Sequence, residues 1–169
     1  MKYILFVLAF SLYLITSGCS NPDSKLVTRL QDSVKSNIEK AKQSKSGYYT
    51  FRLSSVTTFD WDKFYVFDEY VTSKQVKRIT GLDWNGSDVS SGERRLFFIS
   101  KNKEVHYIDY APINFPLFIY TCEAKEQYEF SRKDDDLFAV FEACDKNGCT
   151  FSMAPARCIG GFKRFYEKK

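Results

Sequence analysis

The sequence has little of what most chemistry requires. One histidine, His106, stands among 169 residues, so a mechanism needing a neutral base near pH 7 must use it or a perturbed carboxylate. Between Val105 and Tyr107 on a predicted strand, it reads as a packed or surface side chain. The elbow Gly-x-Ser-x-Gly, a phosphate-cradling glycine loop and a dinucleotide fingerprint are all absent. There is no repeat, no low-complexity tract and no linker that would divide the chain. The net charge of +4 is too mild to mark a nucleic-acid binder. The one apolar run, Tyr3 to Ile15, is shorter than the span of about 20 residues that a membrane-crossing helix needs.

Local matches to reactive motifs fail on inspection. Ser100-Lys101-Asn102-Lys103 has the Ser-x-x-Lys spacing of penicillin-recognising enzymes, but it falls in a predicted hairpin turn without companion motifs. Asp83 to Asp88 offers oxygen ligands at alternate positions, yet its glycine is fourth rather than sixth and Arg94 occupies the place of the bidentate glutamate of a calcium loop. Asp134, Asp135 and Asp136 read as a solvated turn between strands. These readings predict a protein that is not an enzyme, with no cofactor and no metal.

What is present points to export. Lys2 precedes the apolar run, which ends at Thr16-Ser17-Gly18-Cys19, the order of a secretory signal: a positive start, a short greasy core, then small residues. With a cysteine at the break and glycine before it, residues 1–18 resemble a bacterial lipoprotein signal peptide. The resemblance implies that Cys19 receives a lipid and becomes the first residue of the mature protein. Ser20 resembles the residue that lets such proteins proceed to the outer membrane of Gram-negative cells, facing the periplasm. Residues 19–23 would be a short tether, because a few residues reach only about 3.5 Å each, and residues 24–169 a single domain.

The remaining cysteines are Cys122, Cys144, Cys149 and Cys158, an even set that suits two disulfides in an oxidising compartment. Their spacing lacks the CxxC knuckles of structural zinc. Four cysteines allow three pairings, among which the sequence does not choose; joining Cys144 to Cys149 closes the shortest loop and leaves Cys122 with Cys158.

Leu26, Leu30, Val34 and Ile38 recur every fourth residue from Ser24 to about Gln43 and predict an amphipathic helix, capped by Asp23 or Ser24, with Gly47 beyond its end. Lys25, Arg29, Lys35, Lys40 and Lys42 form its solvated face. Strands are expected at Tyr49 to Ser54 and Lys63 to Asp68. Thr72-Ser73-Lys74-Gln75 is a capping box opening a short helix to Thr80, with Gly81 as its stop. Leu82 to Gly92 reads as a surface loop and the most mobile segment.

Arg94 to Ser100 and Glu104 to Tyr110 predict a hairpin, and Leu117 to Cys122, Gln127 to Ser131 and Leu137 to Cys144 further strands. Asn147-Gly148 then turns the chain back through Phe151 to Met153. Aromatics make up 17% of the chain, enough for a firm core and strand-rich faces. The fold expected is α+β: an N-terminal amphipathic helix and a short second helix packed on a twisted antiparallel sheet.

Phe59-Asp60-Trp61-Asp62-Lys63-Phe64-Tyr65-Val66-Phe67, followed by Tyr70 and a helix ending at Gly81, resembles a motif of small bacterial lipoproteins without assigned function, in which Glu69 replaces a proline. The resemblance implies the lipoprotein class and no activity; Trp61 and Phe64 read as buried, with Asp60 or Asp62 receiving backbone donors. Tyr120-Thr121-Cys122 and Ser91-Gly92-Glu93-Arg94 are similar to the Tyr-x-Cys strand and Ser-Gly loop of lysozyme-inhibitor lipoproteins.

Tyr48, Tyr49, Tyr107, Tyr110 and Tyr120 are surplus aromatics for a recognition face, although most must build the core. The function expected is a lipid-anchored envelope protein with a binding or structural role; the alternative is an inhibitor or immunity protein acting on a toxin or lysozyme-like enzyme. Partners are then the membrane, through Cys19, and an envelope protein touched by Trp84, Asn85, Ser91, Glu93 and Arg94.

Overall fold

The computed structural model describes residues 23–123, 128–146 and 148–166. Residues 1–22, Cys19 among them, and Asn147 lie outside the described residues.

Helix α1, Ser24–Gln43, has Asp23 as its N-cap, whose carboxylate accepts the Leu26 N–H at 2.9 Å. Its stripe of Leu26, Leu30, Val34, Ile38 and Ala41 is buried. The helix ends at Ser44 in extended backbone rather than at the glycine, and Gly47 turns left-handed three residues later, at φ 75°. A Cβ at Gly47 would lie 2.5 Å from the Tyr166 carbonyl oxygen, so the end of the described chain is pressed against this turn.

Among the described residues, eight strands form two four-stranded sheets where one antiparallel sheet was expected. The strands are β1 Tyr49–Arg52, β2 Lys63–Phe67, β3 Arg94–Ile99, β4 Val105–Tyr110, β5 Leu117–Ile119, β6 Tyr128–Ser131, β7 Leu137–Asp145 and β8 Gly148–Pro155. The orders are β1-β7-β8-β5 and β4-β3-β2-β6. One pair breaks the antiparallel rule: β5 runs parallel to β8, with Leu117 opposite Phe151 and Ile119 opposite Met153. Pro112 and Pro116 separate β4 from β5 and prevent a hairpin return, so β5 crosses to the other sheet.

The inner faces of both sheets and the stripe of α1 enclose one core. A cross-strand row fixes its register: Phe98, Phe64 and Phe130 lie opposite one another on β3, β2 and β6. Phe64 stacks on Phe98 at 5.2 Å and on Phe130 at 4.5 Å, and Phe138 from the facing sheet closes edge-on over Phe64 and Phe130. Trp61 meets Phe64 and Phe98 edge-on and is fully buried, geometries that add to the area such rings remove from water.

The outer face of β4-β3-β2-β6 is covered as well. Helix α2, Ser73–Thr80, has the full capping box of Thr72 with Gln75 and the left-handed stop at Gly81. It plants Val76 beside Tyr65, Phe67, Phe97, Trp84 and Val89 in a second cluster. The one-turn helix α3, Arg132–Asp135, joins β6 to β7, and on the other sheet Phe141 of β7 packs on Phe162 and Tyr166 of the closing helical segment, Ala156–Phe162 and α4, Lys163–Tyr166.

Cys122 is bonded to Cys158 and Cys144 to Cys149. The first closes a separation of 36 residues and the second one of 5. On the chain-entropy account the long loop contributes about 4 kcal/mol and the short one about 2 kcal/mol. Urea unfolding is therefore expected to show Cys122→Ser/Cys158→Ser as the more destabilised double variant and Cys144→Ser/Cys149→Ser as the milder, with the fold retained in the second.

Candidate functional site

The loop from Leu82 to Gly92 is built around a buried cation. Arg95 enters β3 on the outer face, opposite Asp109 of β4, and is completely buried. Its guanidinium grips Asp109 with two bonds, Nε to Oδ1 at 2.7 Å and Nη2 to Oδ2 at 2.8 Å. Its remaining donors reach the loop: Nη1 gives to the Ser87 carbonyl at 2.6 Å and Nη2 to Ser87 Oγ at 3.2 Å. Tyr107 lies 4.5 Å beneath the guanidinium, a stacked cation with its charge desolvated. This arrangement meets the rule that a buried charge must be paired and hydrogen-bonded.

Trp84 completes the knot and corrects the expectation placed on it. It is buried, edge-on to Phe97 at 4.9 Å and Tyr107 at 5.2 Å, so its ring covers the sheet rather than standing out of the loop. Gly86 lies against it, since a Cβ there would fall 2.0 Å from the indole ring. The segment expected to be most mobile is thus pinned by Arg95, Trp84 and Val89. Sequence reasoning missed Arg95, although the signal was available: a charge at an outer-face position of β3 with Asp109 at the matching step of the hairpin.

The structure brings Ser91, Glu93 and Arg94 together with a segment that sequence reasoning left out of the site, Asp68 to Tyr70. Tyr70 is 65% exposed and holds φ 65°, a left-handed conformation that is costly for an aromatic residue. Its N–H donates to the Val89 carbonyl at 3.0 Å and its hydroxyl lies 2.7 Å from Ser91 Oγ. Glu69 accepts the Gly92 N–H at 2.6 Å, and Arg94 pairs with Asp68 at 3.0 Å while covering the Phe118 ring. Ser91 is exposed and Glu93 and Arg94 half-buried. Asn85 is exposed on the loop. Behind this shoulder, Tyr110 donates its hydroxyl to the Leu117 carbonyl, and burial pushes its pKa up to about 12.

The Trp-Asp segment forms a corner beside a cavity of about 550 Å³, which the hairpin tip at Lys101 and Asn102 closes together with Arg132. Asp60 receives the Arg132 guanidinium at 2.7 Å rather than backbone donors; that bond and the charge behind it hold its carboxyl below the usual range. His106 is stacked on Phe59 at 3.7 Å, with Nε2 at 3.2 Å from Glu104. Ser100 bonds to Asn102 and Glu104 within the turn.

The carboxylates that resembled cation ligands are engaged elsewhere. Asp83 pairs with Lys77, and Asp88 accepts the Ser73 N–H. The three acids after β6 are not a solvated turn, for Asp135 is buried on Arg157 at 2.8 Å. Asp136 accepts the Ser54 N–H and hydroxyl, each at 2.8 Å, fastening the turn after β1 to the start of β7. Tyr107 and Tyr110 are buried and serve no recognition face; Tyr49 is 40% exposed. No protein-family model, curated protein or solved structure matches the chain.

Two outcomes are expected from this geometry. Arg95→Met leaves the half-buried Asp109 unpaired and should cost about 3 kcal/mol in urea unfolding, whereas Arg95→Met/Asp109→Leu should recover most of that loss. Burial raises the Asp136 pKa, but the Ser54 and Arg52 donors outweigh it and leave it below the ordinary 3.8. Its contribution is therefore present above that value and lost as pH falls through the lower folded one. The stability gap between wild type and Asp136→Asn should be constant near neutrality and narrow below 3.8.

Proposed function

We propose that the chain is an exported, lipid-anchored envelope protein, acylated at Cys19, that binds another envelope protein without catalysing a reaction. Its recognition surface is the shoulder formed by Tyr70, Ser91, Glu93 and Arg94. The observation that carries this reading is Tyr70: a mostly exposed aromatic is kept at φ 65° by bonds to Val89 and Ser91. Backbone held in a sparsely populated conformation persists where the surroundings impose it, and such positions cluster at binding sites. An exposed tyrosine beside an arginine is the composition that anchors protein interfaces.

The two disulfides support an oxidising compartment. Among the described residues, no helix is long and apolar enough to cross a membrane. Backbone bonding of the described domain begins at Asp23, whose N–H donates to the Tyr107 carbonyl, four positions after Cys19. A lipid there would hold the domain close to a bilayer. A second reading, an inhibitor or immunity protein that seats its loop in an enzyme's cleft, is favoured by the bonds that fasten Ser87, in the same loop as Asn85 and Ser91, to Arg95; inhibition of a muramidase by the soluble domain would select it.

The anchor is tested by mass spectrometry of the protein from native membranes. The expected species begins at Cys19 with its lipid mass; a chain retaining residues 1–18, or an unmodified Cys19, refutes it. The surface is tested with a photo-crosslinking residue at position 70 or 146 in cells. Position 70 is expected to yield one dominant protein adduct and position 146 none; equal labelling at both refutes the shoulder.

A further inference from the structure

The two disulfides differ in surroundings. Cys122 and Cys158 are half-buried, and their bond ties the chain after β5 to the closing helical segment. Cys144 and Cys149 are both exposed and lie directly opposite each other near the free end of the β7–β8 hairpin. On the core side of that pair, six further register steps, from Phe138 with Pro155 to Ala143 with Thr150, hold the strands together. Opening this bond therefore requires no strand to part. Exposure of this kind distinguishes labile or exchangeable disulfides from purely structural ones.

A cavity of about 580 Å³ lies beside this bridge. It lies between the end of α1, the turn through Gly47, β7 and α4; Cys144 is in its wall and Cys149 is not. Lys42 and Lys45 line it with the single carboxylate of Glu142. Glu142 is already paired to Lys42 at 3.2 Å, while Lys45 is exposed and makes no ion pair among the described residues. The Glu142 carboxylate lies within 4.8 Å of both sulfurs, so the bridge itself faces a negative group.

We propose that Cys144–Cys149 is a thiol–disulfide exchange site, opened by a small thiol that enters through this cavity. The thiolate is the attacking species. It bonds to Cys144 Sγ, the electron pair of the S–S bond passes to Cys149 Sγ, and that thiolate takes a proton from water. A second thiolate attacks the sulfur of the mixed disulfide and releases Cys144. Two thiols become one disulfide as the bridge becomes two thiols, and the reverse sequence restores it. The proposal does not rest on the lipid anchor or on the Tyr70 surface.

The test treats the oxidised full chain with reduced glutathione, traps free thiols by alkylation at timed intervals and maps the products by mass. Cys144–Cys149 is expected to open at least about tenfold faster than Cys122–Cys158, in keeping with its exposure. The first product should carry glutathione on Cys144 and the alkyl group on Cys149. Glu142→Gln removes the carboxylate beside the bridge and should speed glutathione about threefold, leaving the rate with neutral 2-mercaptoethanol unchanged. The proposal is overturned if the two bridges open together, if glutathione is found on Cys149, or if the Glu142→Gln variant reacts with both thiols at the wild-type rate or is accelerated equally with both.

Discussion

Burial of the sheet β4-β3-β2-β6 on both faces is the constraint from which the rest of the structure follows. Its inner face is aromatic and meets the other sheet and α1; its outer face carries Tyr65, Phe67, Phe97 and Tyr107, which would expose a large apolar patch if left bare. A chain of this size has few elements to spare for a second cover. Helix α2 presents one fully buried residue, Val76, so the loop from Leu82 to Gly92 must supply the remainder with Trp84 and Val89. A loop pressed onto a sheet brings unpaired carbonyls with it. Arg95 resolves that conflict, because a guanidinium rising from the sheet can satisfy the Ser87 carbonyl while Asp109 neutralises its charge.

A buried ion pair of this kind is weak support for stability, since desolvation offsets much of its attraction. Its value here lies in selection among alternatives. An apolar cover over Phe97 and Tyr107 would be free to slide, whereas the fork of Arg95 fits only one placement of Ser87. The indole of Trp84 packs against Gly86 so closely that a side chain there is excluded. The shoulder at Tyr70 and Ser91 inherits this rigidity, because Val89 exchanges backbone bonds with Tyr70 and Val71.

Elements whose information is local were legible in the sequence. The stripe of α1, the Thr72 and Gln75 box with Gly81, and the β3–β4 hairpin each rest on residues within a few positions of one another, and each was found with nearly the expected bounds. The partition into two sheets was not legible, because alternation along a strand says which face is apolar and nothing about which strand lies beside it. Arg95 reads in isolation as an exposed charge next to Arg94, and only the register with Asp109 reveals its burial. Trp84 misled for the opposite reason: a tryptophan in a polar loop looks like a recognition residue until the bare sheet face beneath it is known. Asp136 looked like one of three solvated acids, and its partner Ser54 is 82 positions away.

The parallel pair β5–β8 shows what such distant pairings require. β5 has three residues, and Leu117 reaches its partner across a stretch of chain that contains all of β6 and β7. Parallel ladders are slightly less stable per residue than antiparallel ones, and the intervening loop must be closed before any contact rewards it. Three residues of ladder are poor compensation. Cys122 follows the end of β5 by three positions, and Cys158 follows the end of β8 by three, so the bond fastens the two parallel strands at the same end. It also keeps Phe162 and Tyr166 against Phe141 on the outer face of the sheet. The least self-sufficient pairing in the fold is thus the one that carries the long covalent tie, while the hairpin carrying Cys144 and Cys149 would keep its register on backbone bonds and turn geometry alone.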